Sequence, residues 1–228
     1  MIKYSDNFNW NEFLQPYELA VEGFILKIEG IKKQYHMKKV YCPIEIVSGR
    51  VKSPKSIMDK AKRMNVPFDF IDERLYDIGG IRITCKYIED VYQVAEMIKN
   101  RHDIKLLEVR DYIKNVKPSG YRSLHLITEY NVETIDGTEV IRLEFQIRTH
   151  SMHFWASIEH SLKYKYQKQI PAEIKERLYR ASEVSARLDN EMSNIKSIMD
   201  ELEQLGVGNT EIDDSLEDEV TINNFKRW

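Results

Sequence analysis

Cysteine is scarce in this chain, with only Cys42 and Cys85 among 228 residues. Two thiols do not make a disulfide framework, and Cys85, inside an apolar strand, reads as an inert buried thiol. Long apolar runs are missing as well: no stretch approaches the roughly 18 residues that a membrane-spanning helix needs. The first ten residues, M-I-K-Y-S-D-N-F-N-W, hold no apolar core of the signal-peptide kind. Basic excess is also lacking. The formal net charge is −3 and the sequence pI about 6.1, so no global basic field argues for bulk nucleic-acid binding. There is no glycine-rich phosphate loop and no closely spaced Asp-x-Asp pair of the kind nucleotidyltransferases use. His150, His153 and His160, at i, i+3 and i+10, do not converge on one ion, and no carboxylate completes a zinc set. His102-Asp103 stands alone, without the further histidines of a metal phosphohydrolase. A cytoplasmic enzyme fits these absences.

Charged residues, by contrast, make up 31% of the chain, and one row of them is ordered. Residues 140–149 read V-I-R-L-E-F-Q-I-R-T, with Ile141, Leu143, Phe145 and Ile147 alternating with Arg142, Glu144, Gln146 and Arg148. Period two predicts a β-strand with one face on a core. A second strand over 121–130 precedes it through the hairpin dipeptide Asp136-Gly137, and Tyr121, Ser123 and His125 share a face there. The bland reading is the solvated face of an antiparallel sheet. A ring, a hydroxyl and an imidazole beside a carboxylate, an amide and arginines favour a site for a charged, ring-bearing ligand.

Elsewhere, Phe13, Tyr17, Val21, Phe24, Ile28, Ile31 and Tyr35 predict a helix over 10–35, with Pro16 early enough to be tolerated. Residues 43–49 read as extended and ending in a glycine turn. Ser53-Pro54 is a helix start, an N-cap hydroxyl followed by proline at the first position. Ser56, Lys60 and Arg63 then share one face. Between Arg50 and Arg63 there are six basic residues and one acid. A solvated lysine-rich helix explains that concentration; so does a polyphosphate grip, which the lack of a phosphate loop favours. A short helix over about 69–76 leads to D-I-G-G-I-R-I-T-C-K-Y. Asp77 stands at the mouth of a strand over 81–87, and Gly79-Gly80 permits a tight turn or close approach to a ligand. A helix over 89–101 crosses to a strand over 104–111, a βαβ unit expected to be right-handed, and the loop N-V-K-P-S-G enters the hairpin. The sum is an α+β fold with a mixed sheet of about five strands and helices packed on one face. A helix with Met152, Trp155, Ile158, Glu159 and Leu162 follows. Residues 171–205 predict a long helix with a near-heptad seam through Leu188, Met192, Ile195, Met199 and Leu202, interrupted at Ser185. It exceeds what the core needs, so contact with another copy is its expected use. The expected division is a catalytic domain over 1–170, an oligomer helix over 171–205 and an acidic disordered tail over 206–228.

G-Y-R-S-L-H (120–125), L-E-F-Q-I-R-T (143–149), D-I-G-G-I-R (77–82) and W-A-S-I-E-H-S-L-K-Y-K-Y (155–166) together resemble the RelA/SpoT synthetase domain, over roughly residues 10–200. Without a hydrolase domain before it or regulatory domains after it, the chain is similar to the small alarmone synthetases. The resemblance implies a nucleotidyltransferase-like fold and transfer of the β,γ-pyrophosphate of ATP to the 3′-hydroxyl of GDP or GTP, giving AMP and (p)ppGpp. It implies that Asp77 and Glu144 hold Mg²⁺, with Glu144 also able to take the hydroxyl proton. Arg50 and Arg82 would stack on adenine, and Lys52, Ser56, Lys60 and Arg63 would meet the ATP phosphates. Tyr121 would lie under guanine, Arg110, Lys117 and His125 would contact acceptor phosphates, and Gln146, His153 and Glu159 would meet the acceptor nucleoside. Two departures stand out: D-I-G-G replaces the usual D-I-A-G, and His153 replaces asparagine. The family also implies a homotetramer, in which some members bind alarmone at lysines of the first helix; those positions are Ile25 and Glu29 here, so weak product activation is expected. A single-stranded RNA regulator is the one nucleic-acid partner left open, as is the choice among GMP, GDP and GTP. The alternative from another class is an inactive guanine-nucleotide or RNA-binding regulator; Asp77 and Glu144, which a mere binder does not need, weigh against it.

Overall fold

In a computed structural model, residues 8–165 and 170–205 are described; the expected acidic tail and Tyr166 of the last family motif lie outside the described residues. Asn9 caps the first helix, α1 (Trp10–Met37), by accepting from the Glu12 backbone N–H, and Pro16 is buried inside it. Strand β1 (Ile46–Val51) leads to α2 (Pro54–Arg63), where the Ser53 hydroxyl caps Ser56 N–H as its sequence position predicts. A 3₁₀ turn (Phe68–Phe70) and α3 (Ile71–Arg74) precede β2 (Gly79–Cys85). Then come α4 (Ile88–Lys99), β3 (Ile104–Asp111), β4 (Leu124–Thr134), β5 (Gly137–Thr149), α5 (His150–Lys165) and α6 (Ala172–Gln204). The described residues divide into a compact body up to Ser193 and the turns of α6 from Asn194 onward.

The sheet order is β1-β2-β5-β4-β3, with β2 and β5 parallel and every other pair antiparallel. Alternation therefore gives the sheet two unlike faces. One carries Ile81, Ile83, Leu143 and Phe145, all essentially inaccessible, against Val21, Phe24 and Ile28 of α1 and Val91, Val94 and Ile98 of α4. Phe24 and Phe145 meet edge to face at 4.8 Å, a contact that adds to their area burial. The opposite face presents Arg82, Glu144, Gln146 and Arg148. It is not bare, because α5 borders it; helices thus flank both faces, not the single face expected from the sequence.

Three local expectations are corrected. Gly49 is not a turn but the middle of β1, paired with Ile81; a Cβ there would sit 2.2 Å from Val21 Cγ1. Its purpose is the close approach of α1, which no local signal announces. Gly79 and Gly80 likewise lie within β2. Tyr121 and Ser123 precede β4, although the loop still delivers them beside His125. In α6 the side turned to the body carries Ser182, Asp189 and Ser193, while Leu188, Met192, Ile195, Met199 and Leu202 are exposed. Thr149 donates to Asp189 (2.8 Å), and Trp155 Nε1 donates to Leu178 O (2.9 Å).

Candidate active site

Strand register assembles the site. On β5, Glu144 lies opposite Gly80 of β2 and Ile127 of β4, and Gln146 opposite Arg82 and His125. The expected residues Arg50, Arg82, Tyr121, Gln146, His153 and Glu159 line one cleft of about 370 Å³, together with Arg148, Ser157, His160 and Lys163, for which no role was foreseen. Arg148 stood in the same period-two row as Glu144 and Gln146, which was its signal. Ser157, His160 and Lys163 lie in the family stretch 155–166, within which the resemblance gives a role to Glu159 alone.

Asp77 lies just before β2, its carboxylate between Lys52 Nζ at 2.9 Å and Lys60 Nζ at 2.7 Å. Burial alone would raise its pKa; the two ammonium groups outweigh that and hold it below the ordinary carboxylate value. Lys52 Nζ donates to Asp77 Oδ2, and Lys60 Nζ meets Oδ1, so each carboxylate oxygen faces one ammonium. Glu144, 7% exposed, has His125 Nδ1 at 3.0 Å from Oε1 and receives Gln146 Nε2 at 2.6 Å on Oε2. Burial pushes its pKa up, yet His125 and Gln146 bring it below the usual value. Asp77 is near enough to push the same group upward, so the two carboxylates share one field. Among the described residues no three His, Cys, Asp or Glu side chains form a metal cage. That donor set still fits Mg²⁺, which is commonly held by one or two carboxylates plus substrate phosphates and water, since Asp77 and Glu144 are two carboxylates in one field.

On the α2 side, Arg82 Nε is buried without a hydrogen-bond partner. Burial, with Arg50 and Arg148 nearby, lowers the Arg82 pKa, so three guanidiniums crowd a cleft whose one lining acid, Glu159, is already paired with Lys163. Ser56 is exposed and accepts from the Ser53 hydroxyl at 2.9 Å, and Arg63 is exposed at the end of α2 with no ion pair among the described residues. On the opposite side, Lys117 Nζ stands 4.1 Å from the Tyr112 ring centre and 5.0 Å from that of Tyr121. Tyr112, unforeseen, packs edge-on against His125. Arg110 is held by both Glu108 oxygens, at 2.8 and 2.7 Å. Glu159 is buried and paired with Lys163 at 2.6 Å. Burial and the charges of Arg148 and Arg82 lower the His153 pKa. A planar ring among cations, next to two carboxylates, suits a nucleotide and its phosphates.

Comparison with known proteins places the chain in one family. The family model described as "Region found in RelA / SpoT proteins" matches residues 49–169. The chain is 46% identical over 196 residues to GTP pyrophosphokinase YjbM of Bacillus subtilis (strain 168), covering 86% of this chain and 92% of that one. It is 37% identical to GTP pyrophosphokinase YwaC of the same organism, covering 84% and 92%. Among solved structures, small alarmone synthetase 1 from B. subtilis bound to its product pppGpp superposes with a TM-score of 0.80 at 46% identity, covering 82% of this chain and 96% of that one. A GTP pyrophosphokinase family protein from Streptococcus pneumoniae gives 0.81 at 43% identity, covering 86% and 97%. The matched region runs through the sheet and its charged face, and the chain belongs to the RelA/SpoT family, among the small alarmone synthetases.

Proposed function

We propose that this GTP pyrophosphokinase transfers the β,γ-pyrophosphate of ATP to the 3′-hydroxyl of a guanine nucleotide at the face of β2 and β5, with Asp77 and Glu144 holding Mg²⁺ between them. The observation that carries this reading is a pair of carboxylates, Asp77 and Glu144, that share one field, with Glu144 hydrogen-bonded to Gln146 at the edge of a cleft lined by Arg50, Arg82, Arg148 and Tyr121. Arg50 and Arg82 hold the adenine between planar guanidiniums. Lys52, Ser56, Lys60 and Arg63 receive the ATP phosphates; for Lys52 and Lys60 this means sharing Asp77 with the incoming charge. Tyr121 carries the guanine, Lys117, Arg110 and His125 meet the acceptor phosphates, and Gln146, His153 and Glu159 orient the nucleoside. Glu144, held ionised, accepts the 3′-hydroxyl proton. When bound, Mg²⁺ would neutralise charge developing on the transferred group. The remaining work is positioning and charge stabilisation, as in phosphoryl transfer generally.

A homotetramer is part of the proposal, with the exposed Leu188, Met192, Ile195, Met199 and Leu202 of α6 as its contact. So is a cytoplasmic location; among the described residues no helix is long and apolar enough to cross a membrane. Incubation with Mg²⁺ and α-labelled ATP should release labelled AMP only when a guanine nucleotide is present. AMP release at the same rate without an acceptor would mean hydrolysis, and none with GMP, GDP or GTP would favour the inactive regulator.

A further inference from the structure

Arg148 is 7% exposed, and among the described residues the side chains it hydrogen-bonds are all neutral. Its Nε donates to Ser123 Oγ at 3.1 Å, and the two N–H groups of Nη2 go to Tyr121 Oη at 2.5 Å and Gln146 Oε1 at 2.7 Å. A buried guanidinium without a directly paired carboxylate is costly, so its position calls for a reason. Tracing its bonds supplies one. Arginine has donors only, so Tyr121 Oη must accept from it, leaving the phenol's own proton free to point at His125 Nε2, 2.8 Å away. That nitrogen is then bare, and the imidazole proton lies on Nδ1, which donates to Glu144 Oε1 at 3.0 Å. In the other direction, Gln146 must turn its carbonyl to Arg148, so its amide N–H points at Glu144 Oε2 at 2.6 Å. Ser123 fits the same polarity, accepting from Arg148 and donating to Ile147 O at 3.3 Å. The bonds close into a ring of five side chains that starts at Arg148 and ends, from both sides, on the carboxylate of Glu144.

We infer that Arg148 is a positioning residue whose two-pronged donation closes this ring, and thereby fixes the tautomer of His125, the amide orientation of Gln146 and the setting of Glu144. The inference rests on the reading of Glu144 as the carboxylate that faces the transfer, but the ring exists independently of that reading. A lysine keeps the charge and loses the fixed fork. Tyr121→Phe keeps the aromatic platform and opens the ring at another point. If Tyr121 serves only as a stacking surface, the phenylalanine variant is nearly neutral; if the ring matters, it is not.

The test uses the full-length protein with ¹⁵N-labelled histidine, the His125 signals being those lost in His125→Asn, beside steady-state kinetics. In the wild type, Nδ1 carries the proton and Nε2 does not. Arg148→Lys and Tyr121→Phe each give mixed tautomers and lower kcat about tenfold, with KM for GDP changed by less than about threefold. Because either change opens the same ring, the double variant loses little more than the worse single one, as expected for coupled groups. An Nε2–H tautomer in the wild type, wild-type tautomers in both variants, multiplying losses, or a rise confined to KM would each overturn the inference. Should Arg148→Lys fail to fold, Tyr121→Phe alone decides it through the same tautomer and kcat readings. Should the wild type lack synthetase activity, the ¹⁵N spectrum still reads the ring, so the two failures are told apart.

Discussion

Gly120, in the loop before β4, packs against Ser182 of α6, and replacing it with alanine tests that junction. Its φ is +90°, which an L side chain adopts at a cost of about 1–2 kcal/mol. The new Cβ would lie 2.1 Å from Ser182 Oγ and 2.8 Å from Ser182 Cβ. Ser182 cannot easily yield: its hydroxyl donates to Tyr179 O at 2.7 Å, and Arg122 Nη1 reaches both its Oγ and its carbonyl at 3.3 Å. Overpacking of this kind costs about 1–3 kcal/mol, which brings the total to about 2–5 kcal/mol. For a chain of this size each kcal/mol lowers Tm by about 2–4 °C, so scanning calorimetry should register a drop of roughly 4–20 °C. Since Tyr121 is the next residue, KM for the guanine nucleotide should rise more than KM for ATP. Ser182→Ala in the same chain removes the 2.1 Å contact but neither the φ nor the Cβ contact, and should restore only part of the loss. A Tm within about 1 °C of wild type would refute the reasoning, because a φ of this kind alone costs more.

Asp77→Asn leaves Lys52 and Lys60 without their carboxylate and should lower turnover on the order of 10²-fold or more at saturating Mg²⁺; retention of a tenth of wild-type turnover would contradict the metal assignment. Lys60→Ala and Arg63→Ala should raise KM for ATP more than KM for the acceptor, whereas exposed Lys55→Ala, off that stripe, stays near wild type. Equal effects at the three positions would reduce the stripe to a solvated face. Added pppGpp, at saturating ATP and acceptor, should stimulate weakly. Ile25 offers no donor, a like charge at Glu29 costs on the order of a kcal/mol or more, and the neighbouring lysines are engaged: Lys32 with Glu29 Oε1 at 3.3 Å and Lys27 with Asp103 at 2.8 Å. Several-fold stimulation in initial-rate assays would contradict this.

Where the fold was legible, the signal was local. The alternation over 140–149 places Leu143 and Phe145 in the core and Glu144 and Gln146 on the other face, the Ser53-Pro54 start caps α2, and the expected strand over 104–111 coincides with β3. Glycine was misread because its reason is remote. Gly49 answers to Val21, a contact between distant parts of the chain, and nothing in its neighbours distinguishes close packing from a turn. The long helix was anticipated but its inward face was not, since Ser182, Asp189 and Ser193 are buried by hydrogen bonding to the body, not by hydrophobicity. Within the charged row, Arg142 and Arg148 are alike in sequence. The structure separates them: Arg142 donates to backbone carbonyls of Asp72 and Glu73, while Arg148 enters the cleft.

The central claim is that the face carrying Asp77 and Glu144 performs the transfer. The most direct measurement follows the label of γ-³²P-ATP, incubated with Mg²⁺ and GDP, in wild type and Glu144→Gln side by side. The account predicts label on the 3′ position of guanosine with stoichiometric AMP in the wild type. In Glu144→Gln it predicts loss of nearly all of that product, with the wild-type fold retained. Label recovered as free phosphate or pyrophosphate, or a Glu144→Gln variant that labels guanosine at the wild-type rate, would contradict it.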